Sequence, residues 1–301
     1  MEHIQLRYFL TVAEHENITH AADELNITQP SLSKTISRLE ENLGMALFER
    51  KGKRILLNPY GKIFEKRVRR MFSDMEQAQR ELKDMAKLEQ NRIIIGSTVA
   101  RIMPKLLTDF LGTHPDILFN LIQITNHEMI RKNLLDGDID LSVSIMPIDE
   151  PGVECRRQAS DEILIAVSKN HRLAGRKSAS LLEIADEPLV YHSYETGLRR
   201  ITDAILKQMK INPKISFECT TPEIICELAG QGFGNAIIPA SWLGMVGMTS
   251  LSVMHISDFK CERGIWLSWV EGRYMPPSAE DFIVHAGRHF AKGYSLDRSH
   301  I

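Results

Sequence analysis

Hydrophobic positions in the N-terminal part of the chain recur every three or four residues. That spacing is typical of helices with one buried face, and it predicts helices over residues 4–15, 18–25 and 29–43. Thr28 stands where a side chain can cap the start of the third helix. Gly44 stands where a glycine ends a helix, because glycine tolerates the left-handed conformation common there.

A short basic segment follows these helices. Two apolar runs, 46–49 and 55–57, flank the stretch Arg50–Arg54, and Gly52 lies at the expected turn. Short apolar runs on either side of a glycine-containing turn indicate a β-hairpin. The segment is therefore predicted to be a small hairpin with a positively charged tip.

A long helix is predicted after Asn58-Pro59, because asparagine caps helices well and proline suits the first turn. No glycine or proline interrupts it from Lys62 to Asn91. Its apolar residues alternate in steps of four and three, the heptad pattern of paired helices: Phe64, Val68, Met71, Met75, Ala78, Leu82 and Met85. We expect this helix to pair with the same helix of a second copy. The alternative is that the apolar face packs on the C-terminal part of its own chain.

Beyond Asn91 short apolar runs alternate with helical segments. This order is typical of α/β domains with parallel sheets. The expected strands are 93–95, 118–124, 140–144, 163–167, 189–191, 214–218 and 236–238. The helices singled out between them are 103–111, 128–135 and 223–229.

Length and composition fit two or three globular domains. The chain has 301 residues, 43% of them hydrophobic, and a formal net charge of -2. The stretch from Arg50 to Arg70 is nevertheless strongly basic, with Glu65 as its single acid. Such a local positive field attracts phosphates, although a run of charge is also compatible with a solvated face.

Targeting signals and cysteine motifs are missing from the sequence. The N-terminus does not have the pattern of a signal peptide, and no stretch approaches the roughly 20 apolar residues of a membrane span. The four cysteines form no CxxC pair, so free thiols are expected. We expect a cytoplasmic protein with no membrane partner and no cofactor.

Helices 18–25 and 29–43 and the turn between them have the features of a helix-turn-helix. Ala21 and Ala22 supply the small residues needed where two such helices cross. The second helix carries amide, hydroxyl and basic side chains, which bind base edges and phosphates. With the basic hairpin, the residues expected to contact double-stranded DNA are Gln29, Ser31, Ser33, Lys34, Arg38, Arg50, Lys53 and Arg54. The alternative is an ordinary helical bundle with a polar surface.

Several strings of residues resemble the LysR-type transcriptional regulators. They are Leu6-Arg7-Tyr8-Phe9, Ala21-Ala22, Thr28-Gln29-Pro30-Ser31-Leu32-Ser33, Leu47-Phe48-Glu49-Arg50, Asn58-Pro59-Tyr60-Gly61, His171-Arg172-Leu173-Ala174 and Gly230-Gln231-Gly232-Phe233-Gly234. The resemblance covers nearly the whole chain, with mild departures at Asn58, Tyr60 and Arg172. It implies a DNA-binding regulator that is controlled by a small-molecule effector.

The resemblance also implies a multidomain architecture. A mainly α-helical winged helix-turn-helix domain is expected at residues 1–58 and a dimerising linker helix at 59–89. An α/β effector domain similar to periplasmic binding proteins follows, with one subdomain formed by 90–162 and 267–301 and the other by 163–266. The family's working unit implies a homotetramer, a dimer of dimers on DNA.

The effector is expected between the two subdomains. In such folds ligands bind beyond the carboxyl ends of strands, where helix N-termini offer free N–H groups. Short polar residues occupy these places, and the expected effector-binding residues are Ser97, Thr98, Thr125, Asn126, Thr196 and Thr220. Each is equally a good helix cap with no ligand. Arg101 and Arg199 are candidates for the charge that holds an anionic effector.

Other motifs are interpreted structurally. Glycines 230–234 follow a predicted helix and precede a strand, the reverse of a dinucleotide-binding fingerprint. His285 and His289 share a helix face, and a solvated face is expected rather than a metal site. No catalytic triad or metal motif suggests an enzyme. The competing hypotheses are a transporter's solute-binding protein, which leaves the DNA-binding segment unexplained, and an enzyme on the same scaffold.

Overall fold

The structure is a computed structural model that describes residues 2–52, 54–85, 92–243 and 250–291. The chain divides into two compact units, Met1–Leu82 and Lys83–Ile301. Along the described ranges, no helix combines the length and the apolar character that a membrane crossing requires.

Three helices form the body of the N-terminal unit: α1 (His3–His15), α2 (Ile18–Glu24) and α3 (Gln29–Leu43). They agree closely with the predicted helices, and their apolar faces share one core. Gly44 ends α3 with a φ of 71°, as expected. Thr28 occupies the N-cap position of α3, but its side chain makes no capping hydrogen bond.

The predicted hairpin is present after α3. Strand β1 (Phe48–Lys51) pairs antiparallel with β2 (Arg54–Leu57), and Gly52 has a φ of 67° between them. Glu40 of α3 fixes the start of the hairpin, because its Oε1 accepts hydrogen bonds from the N–H groups of Leu47 and Phe48 at 2.7 and 3.1 Å. The hairpin is therefore held in place by α3.

The long helix α4 (Pro59–Met85) begins as predicted, with Asn58 Oδ1 accepting the Gly61 N–H at 2.9 Å. Its first turns belong to the core of the N-terminal unit. Val68 is buried there, and the ring centroid of Phe64 lies 5.1 Å from that of Phe9. The part of the linker prediction that falls on residues 86–89 lies outside the described residues.

The C-terminal unit begins with a parallel sheet. Strand β3 (Arg92–Ser97) lies between β4 (Leu118–Gln123) and β5 (Leu141–Ser144). Helices α5 (Met103–Leu111) and α6 (His127–Asp136) connect these strands. The predicted alternation of strands and helices is correct for this half of the unit.

Two long strands join the two halves of the unit: β6 (Val153–Ser168) and β12 (Glu262–Val270). Residues 153–162 of β6 pair antiparallel with β12, which also pairs antiparallel with β5. The expectation of parallel sheets is therefore correct for β3, β4 and β5 but not for the two joining strands. The joining strands run from one half to the other in opposite directions, so their pairing is antiparallel.

The second half is built on the remainder of β6. The strands of this half are β7 (Ser178–Ala179), β8 (Pro188–His192), β9 (Lys214–Cys219), β10 (Ala236–Pro239) and β11 (Leu251–Ile256). Residues 163–168 pair antiparallel with two neighbours, β10 and β11, and a parallel pair, β8 and β9, lies beside β10, joined there by a bridge between Leu189 and Asn235. The helices of this half are α7 (Gly197–Gln208) and α8 (Pro222–Gly230). Gly232, with a φ of 85°, turns the chain from α8 towards β10. The glycines thus follow a helix, as predicted.

The last helix, α9 (Pro277–Ala291), corrects the interpretation of its two histidines. The face is not solvated: the His289 side chain is 9% exposed, and its Nδ1 lies 2.9 Å from Asp109 Oδ2. The His285 ring lies 5.2 Å from that of Phe110, and burial lowers the pKa of His285. Across the described ranges no cluster of histidine, cysteine and acidic residues could hold a metal.

The four cysteines are free thiols, as the sequence predicts: Cys155, Cys219, Cys226 and Cys261. Burial raises the pKa of Cys226 and of Cys261 to about 11. These two thiols therefore stay protonated at neutral pH and pack as small apolar groups.

Candidate DNA interface and ligand cleft

The outer face of α3 carries the side chains that the sequence assigns to DNA. Gln29, Ser31, Lys34 and Arg38 are exposed, and Ser33 is half-buried. The opposite face of α3 is buried in the core through Leu32, Ile36 and Leu39. Within the described residues, none of the five polar side chains has a hydrogen-bond partner. This face is therefore free to contact another molecule.

The hairpin adds positive charge close to α3 in the chain. Arg50 and Arg54 are exposed, and Arg54 forms a loose ion pair with Glu16, whose carboxylate lies 3.7 Å away. Exposed pairs of this kind hold a side chain weakly. Lys53, the third basic residue of the prediction, lies outside the described residues. Arg50 and Arg54 can reach phosphates, because neither is held firmly in the protein.

The apolar seam of α4 is exposed along most of its length. The side chains of Met71, Met75, Leu82 and Met85 are 37%, 48%, 66% and 77% exposed. A long run of exposed, regularly spaced apolar residues on one helix face marks an interaction surface. Val68 is the buried exception, because it packs in the core of the N-terminal unit.

A cleft lies between the two halves of the C-terminal unit, with a cavity of about 100 Å³. Its wall includes four of the six residues predicted to bind the effector, namely Thr98, Thr125, Thr196 and Thr220. Neither Ser97 nor Asn126 is part of the wall. Ser97 is fully buried, with its Oγ accepting the Val99 N–H at 3.0 Å. Asn126 caps α6, its Oδ1 accepting the N–H groups of residues 128 and 129.

The four threonines differ in what their hydroxyl groups already do. Thr98 Oγ1 accepts the Ile145 N–H at 3.2 Å. Thr196 Oγ1 donates to the carbonyl of Ser193 and accepts the N–H of Arg199, which caps α7. Among the described residues, neither the Thr125 nor the Thr220 hydroxyl has a partner. These two hydroxyl groups are therefore the ones most available to a ligand.

Neither predicted arginine is a free cation. Arg199 lies outside the cleft wall, and its Nε and Nη1 donate to the carboxylates of Asp203 and Glu218 at 2.9 and 2.6 Å. These acceptors raise the pKa of Arg199 even though burial lowers it. Arg101 does line the cleft, but its Nη1 lies 3.4 Å from Glu223 Oε1.

A buried arginine that the sequence analysis missed also lines the cleft. Arg263 of β12 lies opposite Asp161 of β6, and its Nε and Nη2 lie 2.9 and 2.8 Å from Asp161 Oδ2. Ser241 completes the cluster, with its Oγ donating to Asp161 and accepting from Arg263 Nη2 at 3.1 Å. The Arg263 and Asp161 side chains are 5% and 0% exposed. The two ionic residues are separated by 102 positions, so no local pattern reveals them.

His192 is the second cleft residue that the sequence analysis missed. Its Nε2 lies 2.9 Å from the Ile237 carbonyl oxygen, and its ring lies 5.4 Å from that of Trp242. Burial lowers the pKa of His192 to about 4. The ring is therefore neutral at physiological pH. Since a carbonyl oxygen only accepts, Nε2 carries the proton and Nδ1 is an acceptor.

The chain is similar to known families over both units. Residues 4–62 match the family described as bacterial regulatory helix-turn-helix protein, lysR family, and residues 87–291 match the family described as LysR substrate binding domain.

Curated relatives span almost the whole chain. The uncharacterized HTH-type transcriptional regulator YybE of Bacillus subtilis is 32% identical, over 97% of this chain and 100% of its own length. The RuBisCO operon transcriptional regulator of Allochromatium vinosum is 26% identical, over 92% of this chain and 93% of its own length.

Solved structures show the same fold. The LysR family transcriptional regulator CbnR has a TM-score of 0.67 and is 24% identical, over 97% of this chain and 99% of its own. The effector binding domain of QuiR, in complex with shikimate, has a TM-score of 0.60 and is 25% identical, over 68% of this chain and 99% of its own.

Proposed function

Because the chain belongs to the LysR family of transcription regulators, we propose that it binds promoter DNA as a homo-oligomer and that a small anionic effector controls this binding. The observation that carries the proposal is the presence, in one chain, of two features. The outer polar face of α3 has no partner among the described residues, and the cleft wall includes the hydroxyl groups of Thr125 and Thr220, which have none there either. The first is a DNA-reading element and the second a ligand site.

In the proposed complex α3 lies in the major groove. Gln29, Ser31, Ser33 and Lys34 reach base edges from the first turns of the helix, since the start of a recognition helix makes such contacts. Arg38 and the hairpin residues Arg50, Lys53 and Arg54 bind phosphates, which gives affinity without sequence preference. The domain limits proposed above, 1–58 for the head and 59–89 for the linker, place these residues in one domain.

We propose that α4 mediates dimerisation. The exposed seam residues Met71, Met75 and Leu82 lie at heptad spacing, and two such seams bury each other in a coiled coil. A symmetric dimer carries two recognition helices, which suits a DNA site with two half-sites. Two dimers then form the homotetramer that the family resemblance implies.

We place the proposed effector site in the cleft between two subdomains. One subdomain is formed by residues 90–162 and 267–301, and the other by residues 163–266. The hydroxyl groups of Thr125 and Thr220 and the start of α7 can bind an anion. QuiR is a relative whose effector domain binds shikimate, which supports a small metabolite here. A ligand that binds one arrangement of the two halves more tightly shifts their equilibrium by that difference in affinity.

The proposed role is regulatory rather than catalytic, since the curated relatives described above are transcriptional regulators. A solute-binding role leaves the match of residues 4–62 to a regulatory helix-turn-helix family without explanation. Access to promoter DNA supports the cytoplasm as the protein's compartment.

A mobility-shift titration tests the proposal. Full-length protein is titrated against the DNA upstream of its own gene and against unrelated DNA of equal length. We expect the upstream DNA to bind at least about a thousandfold more tightly, the usual lower margin of specific over non-specific binding. A small carboxylate is then added, and the position or the midpoint of the shift is expected to change. Equal affinity for the two DNAs would contradict the proposed function.

A further inference from the structure

Arg263 is the buried arginine of the cleft wall, and its guanidinium group has unused donors. The exposed fraction of Arg263 is only 5%, and the residue lines the cavity. Asp161 and Ser241 engage its Nε and Nη2, whereas Nη1 has no partner among the described residues. Nη1 is not one of the buried polar atoms that lack a partner in the described residues, so it is in contact with solvent. A ligand acceptor in the cleft would satisfy it.

The cluster around Arg263 is built to hold that group still. Arg263 lies on β12, Asp161 on β6 and Ser241 in the short 3-10 helix Ala240–Trp242 that follows β10, so three separate elements converge on the guanidinium. The Ser241 N–H also donates to Asp161 Oδ1 at 2.9 Å, which fixes the carboxylate. A guanidinium held in this way presents the two N–H bonds of Nη1 in fixed directions to a ligand carboxylate.

The charges of the cleft favour a ligand with a single negative charge. Asp161 offsets much of the charge of Arg263, and Glu223 offsets that of Arg101. Among the described residues, the wall itself includes no aspartate or glutamate. The α7 start adds partial positive charge, because Gly197 and Leu198 line the cavity and the first N–H groups of a helix have no partner within it. Such a site suits a monocarboxylate better than a phosphate dianion.

His192 supplies a hydrogen-bond acceptor in the cleft wall, in contrast to the donors of Arg263 and of the α7 start. The Ile237 carbonyl fixes the proton on Nε2, so Nδ1 is an acceptor with no partner in the described part of the chain. A carboxylate cannot donate to it, but an alcohol can. The unpartnered hydroxyl groups of Thr125 and Thr220 can exchange hydrogen bonds with the same kind of group.

We propose that the cleft binds a small hydroxylated monocarboxylate, with the carboxylate on Arg263 Nη1 and the α7 N–H groups and an alcohol on His192 Nδ1. The inference rests on the proposed function, since it specifies the chemistry of the same cleft. Asp161 and Ser241 act as positioning residues that hold Arg263. The cavity of about 100 Å³ is in keeping with a small metabolite.

The first test changes the ligand and leaves the protein intact. Calorimetry on the full chain measures binding of lactate, mandelate, salicylate and shikimate. Each is compared with its methyl ester, and the first three also with their deoxy analogues propionate, phenylacetate and benzoate. We expect at least one hydroxycarboxylate to bind, and both its ester and its deoxy analogue to bind at least about tenfold more weakly. Binding by none of the hydroxycarboxylates, equal binding of the esters, or tighter binding of inorganic phosphate overturns the proposal.

The second test changes the protein. Arg263→Lys retains the positive charge but loses the planar guanidinium group. The double variant Asp161→Asn/Arg263→Gln removes both charges. Neither protein has a buried carboxylate without a partner of opposite charge. Both proteins are expected to bind the hydroxycarboxylate at least about tenfold more weakly than the wild type. Arg156→Gln, on β6 with its side chain 59% exposed, is the matched control and is expected to bind normally. Unchanged affinity in the double variant would overturn the assignment.

A mobility shift on the same samples separates this inference from the proposed function. A hydroxycarboxylate that binds the cleft without changing the DNA complex leaves the ligand chemistry intact and refutes the regulatory role of the site. A neutral compound that binds the cleft and changes the DNA complex, where carboxylates do not, supports regulation and refutes the ligand chemistry.

Discussion

Arg101 and Glu223 lie opposite each other across the cleft, with 3.4 Å between Nη1 and Oε1. Arg101 belongs to the half of the C-terminal unit that contains β3, and Glu223 lies in the first turn of α8 in the other half. The pair is therefore a contact that exists only when the two halves are close. Its side chains are 40% and 51% exposed, so its strength is no more than about 1 kcal/mol and falls with salt.

Glu223→Gln is predicted to tighten binding of an anionic ligand by at most about fivefold, because Arg101 is no longer neutralised. Calorimetry with the carboxylate that binds the wild type best measures the change at low and at high salt, and high salt is expected to reduce it. Glu227→Gln on the same helix is the control, since Glu227 bonds to Gln231 rather than to Arg101. Weaker binding by Glu223→Gln would show that closure of the cleft matters more than free charge.

Thr125→Val is predicted to weaken effector binding without changing the melting temperature, because the hydroxyl group has no partner among the residues that the structure describes. Thr98→Val is predicted to lower both the affinity for the effector and the melting temperature, since it also leaves the Ile145 N–H without its acceptor. The expected loss of stability for Thr98→Val is about 1–3 kcal/mol. Thermal unfolding and calorimetry measure the two effects. Equal melting temperatures for the two variants would contradict this distinction.

Met75→Lys combined with Leu82→Lys is predicted to convert the oligomer to monomers that bind DNA poorly. The two positions are exposed on the seam. Each helix of a dimer would carry two lysines, so pairing of the seams would bury four unpaired ammonium groups. Analytical ultracentrifugation measures the mass. Glu76→Lys, at an exposed position beside the seam, is the control. An oligomer of unchanged stability in the double variant would refute the role of α4.

Two substitutions in the N-terminal unit are predicted to affect DNA binding differently. Gln29→Ala is expected to relax the preference for one base, at a cost of about 1–3 kcal/mol for a bidentate contact. Arg50→Ala is expected to weaken binding to all sequences alike and to reduce the salt dependence by roughly one counterion. Fluorescence anisotropy on specific and unrelated DNA at several salt concentrations measures both. The docking of α3 is wrong if Arg50→Ala, rather than Gln29→Ala, changes sequence preference.

The protein is predicted to lose stability as the pH falls from about 6.5 to about 4, in part because of His192. Burial lowers the pKa of His192 from 6.5 to about 4 in the folded state, so in this window the unfolded chain binds the proton and the folded chain does not. The contribution of His192 to the free energy of unfolding is fully present above pH 6.5 and is lost as the pH falls to about 4. It amounts to at most about 3 kcal/mol.

His192→Gln tests this dependence, because glutamine can still donate to the Ile237 carbonyl but does not titrate. Its melting temperature is expected to fall less steeply than that of the wild type over the same pH window. His20→Gln, at an exposed position of α2, is the control and is expected to follow the wild type. Parallel curves for wild type and His192→Gln would contradict a buried neutral histidine.

Local patterns predicted the N-terminal unit well because each of its helices carries its own signals. Ala21, Gly44 and Asn58 each have their effect within a few residues, and sequence spacing reveals such effects directly. Thr28 is the exception. Its position is that of a cap, but a side chain at the N-cap has more than one rotamer, and the one present makes no hydrogen bond.

The C-terminal unit was harder to predict where strands carry charge. The first half of β6 contains Glu154, Arg156 and Arg157, so it lacks the apolar run by which β3 and β10 are recognised. The sequence placed Thr98 and Thr196 in the cleft because both follow strands. It missed Arg263 and Asp161, since a pair formed by strand register depends on how two distant segments align.

The core that Phe64 and Val68 enter from α4 has a consequence for exchanging regulatory parts between proteins. Phe72 extends it further, with its ring 4.6 Å from that of His3. A hybrid regulator joined at Asn58 would separate the helix-turn-helix from side chains that complete its interior. A working hybrid must therefore be joined beyond Phe72, inside the heptad seam. The protein that supplies the helix-turn-helix and the protein that supplies the C-terminal unit must then also share the same heptad register.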